Sequence, residues 1–63
     1  MASWKDSKVT WAVTEMLKMA QAGDRKGVER LNDKAYEWAR GSNNRKDELR
    51  KGYDRAMAIL AAK

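Results

Sequence analysis

Hydrophobic positions along the chain recur at three- and four-residue intervals in three separate stretches, and this period predicts three amphipathic helices. In the first stretch, Val9, Ala12, Val13, Met16, Leu17, Met19 and Ala20 fall on one broad face. In the second the stripe is Val28, Leu31, Ala35, Trp38 and Ala39, and in the third it is Leu49, Tyr53, Ala56, Met57 and Leu60, with Ile59 on the flank. No stretch alternates with a period of two, so no strand competes. The expected helices cover about 4–21, 25–40 and 45–62. At 1.5 Å per residue each is roughly 22–27 Å long.

The punctuation agrees with the periodicity. Ser3 is suited to cap the first helix, and Asp6 follows three residues later as a capping-box partner. Gly23 and Gly41 stand where the first two helices should stop, since glycine takes the positive φ found just past a helix end. Asp24 is the expected cap of the second helix. Ser42-Asn43-Asn44 reads as a turn, with Asn44 and Asp47 opening the third helix. Links this short make neighbouring helices antiparallel. The expectation is an all-α, up-down-up three-helix bundle occupying residues 1–63 as a single domain. The pattern leaves open which way the bundle turns and whether it self-associates; a monomer is expected.

Composition narrows function chiefly by exclusion. The 63 residues contain no cysteine, histidine or proline. That removes thiolate chemistry, disulfides, the commonest general base and the commonest transition-metal ligand. Ser3, Ser7, Ser42, Thr10 and Thr14 have no histidine to activate them. Ser7 and Lys8 are adjacent on a helix and so do not face each other. Glu29, Asp33 and Glu37 form a column at i, i+4 and i+8, beside Lys26, Arg30 and Lys34. That arrangement is expected of a solvated, charge-laced helix face rather than a desolvated acid–base pair. No enzyme activity, metal or cofactor is expected. No apolar run reaches the ~20 residues of a membrane span. The expectation is a soluble chain that stays in the cytosol when expressed and requires no partner to fold.

A net charge of +5 raises nucleic acid as a partner. Arg45, Lys46, Arg50, Lys51 and Arg55 on the third helix are the candidate phosphate contacts, in the manner of a homeodomain, which is a three-helix domain of this size. Asp47, Glu48 and Asp54 interrupt them, however, and beyond Arg55 the outer positions are Ala58, Ala61 and Ala62, which cannot read base edges. The Trp-Phe-x-Asn stretch and basic arm of a homeodomain are absent. Sequence-specific binding is therefore not expected, whereas weak salt-sensitive association is compatible with the charge. The Gly23-Asp24 turn and Ala35 are similar to the tetratricopeptide repeat, but Val28, Asn32 and Arg40 depart from that pattern and no second repeat follows.

The aromatic residues remain. Trp38 and Tyr53 lie within their stripes and are expected in the core. Trp4 and Trp11 are seven residues apart and share a face about 130–160° from the centre of the first stripe. They either lap over a neighbouring helix or form an exposed interaction patch, and Tyr36, also off its stripe, has the same two readings. Gly27 and Gly52 fall inside helices, where glycine costs ~1 kcal/mol relative to alanine. Gly52 is expected to let a bulky side chain such as Trp38 approach the backbone.

Taken over its whole length, the chain resembles de novo designed or computationally redesigned three-helix bundles. The likeness rests on capped starts, glycine stops, tight loops, clean binary patterning and the absence of proline, cysteine, histidine and phenylalanine. It implies a helical scaffold of synthetic origin, with no natural location and no evolved activity. The alternative is a small binding module, with either a protein-binding face around Trp4 and Trp11 or a basic nucleic-acid surface. The internal glycines, Thr10, Thr14 and the off-stripe tryptophans depart from idealised design.

Overall fold

The computed structural model describes residues 3–63 and contains three helices, α1 (Trp4–Gln21), α2 (Arg25–Ala39) and α3 (Asn43–Ala61). All three pack against one another in an elongated body of 37 × 18 × 15 Å. Among the described residues there is no strand. The all-α three-helix bundle expected from the hydrophobic period is the fold observed.

The helix ends follow from side-chain chemistry. Ser3 and Asp6 form a complete capping box: the Asp6 N–H donates to Ser3 Oγ at 3.3 Å, and the Ser3 N–H donates to Asp6 Oδ2 at 3.2 Å. At the other end of α1, Gly23 takes φ 80°. Its N–H then reaches the Ala20 carbonyl at 3.0 Å, while the Asp24 N–H reaches that of Met19 at 2.8 Å. This pair of bonds satisfies carbonyls that the last turn leaves without partners. Asp24 then starts the next helix, its Oδ1 accepting from the Gly27 N–H at 2.9 Å. One residue thus closes α1 through its backbone and opens α2 through its side chain.

The second turn repeats this plan, which corrects the expected start of α3. Gly41 takes φ 85°, and the next residue, Ser42, is the cap, its Oγ accepting from the Arg45 N–H at 3.3 Å. Asn43 and Asn44 are already helical, so α3 begins two residues before the expected 45. The chain reverses over a single left-handed glycine and needs no further turn residues. α2 ends at Ala39, one residue early, because Arg40 swings to an extended conformation with ψ 139° ahead of that glycine.

The core is built largely from small residues. Half of its ten buried apolar side chains are alanines (Ala12, Ala20, Ala35, Ala39 and Ala56), joined by Val9, Met16, Val28, Leu31 and Leu49. Trp38 and Tyr53 pack on the margin of this cluster, as expected of stripe residues. Gly52 is buried with them, and the residue it accommodates is Val13 rather than Trp38. A Cβ at Gly52 would lie 2.6 Å from both Val13 methyl carbons and 3.0 Å from its Cβ. Since the Val13 Cβ itself is too near, no rotamer of that side chain relieves the contact. Gly27 makes room in a milder way, for the capping carboxylate of Asp24.

Gly52→Ala should therefore lower stability by about 1 kcal/mol, the overpacking cost exceeding the gain in helix propensity. In a Val13→Ala background, which removes the two methyl contacts and keeps only the Cβ at 3.0 Å, the same change should be close to neutral, within about 0.5 kcal/mol. Urea unfolding of the four proteins in this cycle measures both. A stabilising Gly52→Ala in the parent chain would remove the close-contact account.

Candidate functional site

The core is filled by small side chains, and three of the larger aromatics lie outside it. Trp4 and Trp11 are 62% and 49% exposed, and Tyr36 is 48% exposed. The two tryptophans lie two turns apart on α1 and border an open depression of about 400 Å³ floored by Ser7 and Lys8. Each ring carries an ammonium group: Lys5 Nζ is 5.8 Å from the Trp4 ring centre, and Lys8 Nζ is 5.5 Å from that of Trp11. Lys8 is also 5.6 Å from the Trp38 ring, so one cation sits between an α1 indole and an α2 indole. All three tryptophans of the chain are thereby gathered on the α1–α2 flank.

Tyr36 does not belong to this patch. It lies on the other side of α2, in a groove against α3 of about 280 Å³ that is also lined by Asn32, Lys46, Leu49, Arg50 and Tyr53. Sequence reasoning had placed Tyr36 with the tryptophans and Lys46 and Arg50 with a separate basic strip. The fold instead unites Tyr36, Lys46 and Arg50. Periodicity gives only the two halves, Asn32 with Tyr36 one turn apart on α2 and Lys46, Arg50 and Tyr53 along one side of α3; that these halves meet depends on how the helices pair.

The five basic residues expected along α3 do not form one surface. Lys51 and Arg55 project from α3 about 140° around from Lys46 and Arg50, with Asp47 and Asp54 on the outward face between the pairs. Arg45 is drawn into the structure. Its Nη1 donates to Asp6 Oδ1 at 3.2 Å and its Nε to the Trp38 carbonyl at 2.9 Å, leaving the side chain 18% exposed. That carbonyl lies in the last turn of α2, and the Ser42 N–H that could have met it bonds Ala39 instead. The guanidinium therefore satisfies an orphan acceptor, and it places positive charge at the negative end of a helix dipole. A side chain so engaged is not available to a phosphate.

Of the other side-chain contacts, one crosses between helices and the rest are local. Thr10 Oγ1 donates to Glu48 Oε2 at 2.7 Å across α1 and α3, and Thr14 Oγ1 donates to the Thr10 carbonyl at 3.1 Å. Of the charged column on α2, only Glu37 makes an ion pair among the described residues, and its partner is Arg40 rather than Lys34. Long exposed side chains gain too little in water to be held in the expected pairs. Among the described residues no helix is long and apolar enough to cross a membrane.

No protein-family model, curated protein or solved structure matches this chain.

The Arg45 guanidinium, together with the Ser3 backbone and hydroxyl, holds the Asp6 carboxyl below the usual carboxylate range. A depressed carboxylate pKa contributes stability that is fully present above its unfolded value, near ~3.9, and disappears as pH falls through the lower folded value. Denaturant midpoints should thus decline between about pH 5 and pH 2, and Asp6→Asn should flatten this decline. Arg45→Gln should weaken it partly, because the Ser3 hydrogen bonds persist. An unchanged slope in Asp6→Asn would show that another carboxylate governs acid sensitivity.

Proposed function

We propose that this chain is a small helical binding module whose recognition face is the α1–α2 flank around Trp4, Lys8 and Trp11, and that its partner on this face is a protein. The observation that carries the reading is the inversion of size between core and surface. Alanine fills half of the buried apolar positions, while two tryptophans, 62% and 49% exposed, stand side by side. A sequence selected only to fold gains most by burying its largest apolar side chains. Exposed tryptophans with apolar bodies and one polar atom are the commonest anchors of protein recognition. The seven-residue interval aligns both rings along α1, as a partner helix or extended segment would need. Lys5 and Lys8 favour acidic groups at the rim of that partner.

A second reading has its own support. The capped starts of all three helices and the repeated glycine-then-cap turns are the devices of a designed or redesigned scaffold with no evolved activity. On that reading the tryptophans have no ligand.

Panning a random peptide library against the immobilised, folded protein separates the two. The binding module should enrich acidic peptides carrying aliphatic or aromatic residues, and Trp4→Ala/Trp11→Ala should abolish their capture while Tyr36→Ala leaves it intact. The double substitution should lower stability by less than about 1 kcal/mol per site, against ~3–5 kcal/mol for a buried tryptophan. A larger loss would mean that the rings serve packing, and an absence of enrichment would leave the scaffold reading standing.

A further inference from the structure

The α2–α3 groove is a second surface, independent of the tryptophan face, and its chemistry is different. Its floor is Leu49, which is only 3% exposed, and Tyr53 is half-buried beside it. Tyr36 stands exposed on the α2 wall, Lys46 and Arg50 rise from the α3 wall, and Asn32 supplies a carboxamide. No acidic residue lines it. The groove thus combines two phenol rings, two cations and a neutral group able both to donate and to accept hydrogen bonds.

Size decides what such a groove can take. Its volume of about 280 Å³ lies at the lower edge of the ~300–1,000 Å³ range of small-ligand sites. A ligand of that size should be flat, to lie against the tyrosines, and anionic, to meet Lys46 and Arg50. A nucleotide has both properties, and its base edge offers the donors and acceptors that a carboxamide can meet. An open-ended groove suits a nucleotide within a strand, and bases that are free to stack occur in single strands rather than duplexes.

We infer that the α2–α3 groove binds single-stranded nucleic acid, with a base stacked on Tyr36 and Tyr53 and adjoining phosphates on Lys46 and Arg50. This is a different mode from duplex reading by α3. It uses only the two cations on the groove side and none of Arg45, Lys51 or Arg55. Arg50 can offer a phosphate two parallel N–H donors, whereas Lys46 acts as a point charge. Asn32 is placed to touch the base edge, so modest preference among bases is expected. The phosphate contacts make affinity fall steeply as salt rises.

The test is a titration of the ¹⁵N-labelled protein with an eight-nucleotide oligo-dT or oligo-rA at about 50 mM salt, where electrostatic affinity is high. Shifts should concentrate on the Asn32 side-chain amide, the Arg50 Nε–H and the amides of Tyr36, Lys46, Leu49 and Tyr53. The three indole N–H signals, which report the tryptophan face, should stay in place. Tyr36→Ala and Arg50→Gln, both at exposed positions, should each weaken binding by about tenfold while leaving the unfolding midpoint in place. Inorganic polyphosphate, which has charge but no bases, should bind at least tenfold more weakly. Three results would overturn the inference: equal affinity for polyphosphate, equal affinity for a duplex of the same length, or shifts confined to the indoles. Absence of any binding at 50 mM salt would do so as well. None of these outcomes bears on capture of peptides by the tryptophan face, so the two proposals fail separately.

Discussion

Close approach of the three helices is the constraint on which the rest of this structure depends. Alanines occupy five of its ten buried apolar positions, and at Gly52 even a methyl group would strike Val13. Small side chains bring backbones together and leave little interior volume. Trp38 and Tyr53, on the core-facing stripes, pack at the margin of this narrow centre, while Trp4, Trp11 and Tyr36 lie off the stripes and project outward. The same thinness explains why the body is only 15–18 Å across its two short axes. A chain of this length has a modest core to begin with, and filling it with alanine makes each larger buried residue, such as Met16, Leu31 or Leu49, correspondingly important.

Polar chemistry is concentrated at the helix ends and does work there that the core cannot. Each inter-helix turn spans three residues and sets a cap residue directly after a left-handed glycine. Asp24 and Ser42 therefore convert the stop of one helix into the start of the next within a single step. Arg45 adds a connection that no turn supplies. It stands in the first turn of α3, accepts the pull of Asp6 in the first turn of α1, and covers a free carbonyl in the last turn of α2. One side chain thus joins all three helices at the end of the bundle where they meet. At that end the charges match the dipoles of α1 and α2, with acid near the start of the first and base near the finish of the second, while Arg45 stands against the dipole of its own helix.

Much of this was legible in the sequence because it depends on local spacing. The hydrophobic period placed every buried apolar residue, since a 3.6-residue repeat fixes which side chains share a face. The start of α3 was misplaced for a local reason too. Asn43 and Asn44 have turn chemistry, and their presence hid the fact that Ser42 stands one step after glycine, as Asp24 does. What the sequence could not supply was pairing between helices. Gly52 faces α1, so its partner is Val13; choosing Trp38 required knowing the relative rotation of α2 and α3. Arg45 looked like one of five similar cations, because its distinction is an orphan carbonyl and a carboxylate some 39 residues away in the chain. Likewise, nothing local connects Tyr36 with Lys46 and Arg50 until α2 and α3 are laid side by side.

Rotation of the helices also decides how the positive charge can be used. Spread evenly, +5 would give a weakly attractive body with no preferred face. The fold instead withdraws Arg45, sends Lys51 and Arg55 to one side of α3, and leaves Lys46 and Arg50 beside two tyrosines on the other. Lys5 and Lys8 are similarly set over tryptophan rings on the α1–α2 flank. Exposed aromatics in this molecule are thus accompanied by cations, and Asp47 and Asp54 lie on the outward face of α3 between its two basic pairs. Cations beside apolar rings act in a locally drier setting than cations dispersed over a surface, where each is worth less. The positive charge is thus divided between two separate aromatic surfaces rather than drawn into one continuous basic strip. Helical register, which turns Trp4, Trp11 and Tyr36 away from the core, is what sets the rings beside their cations.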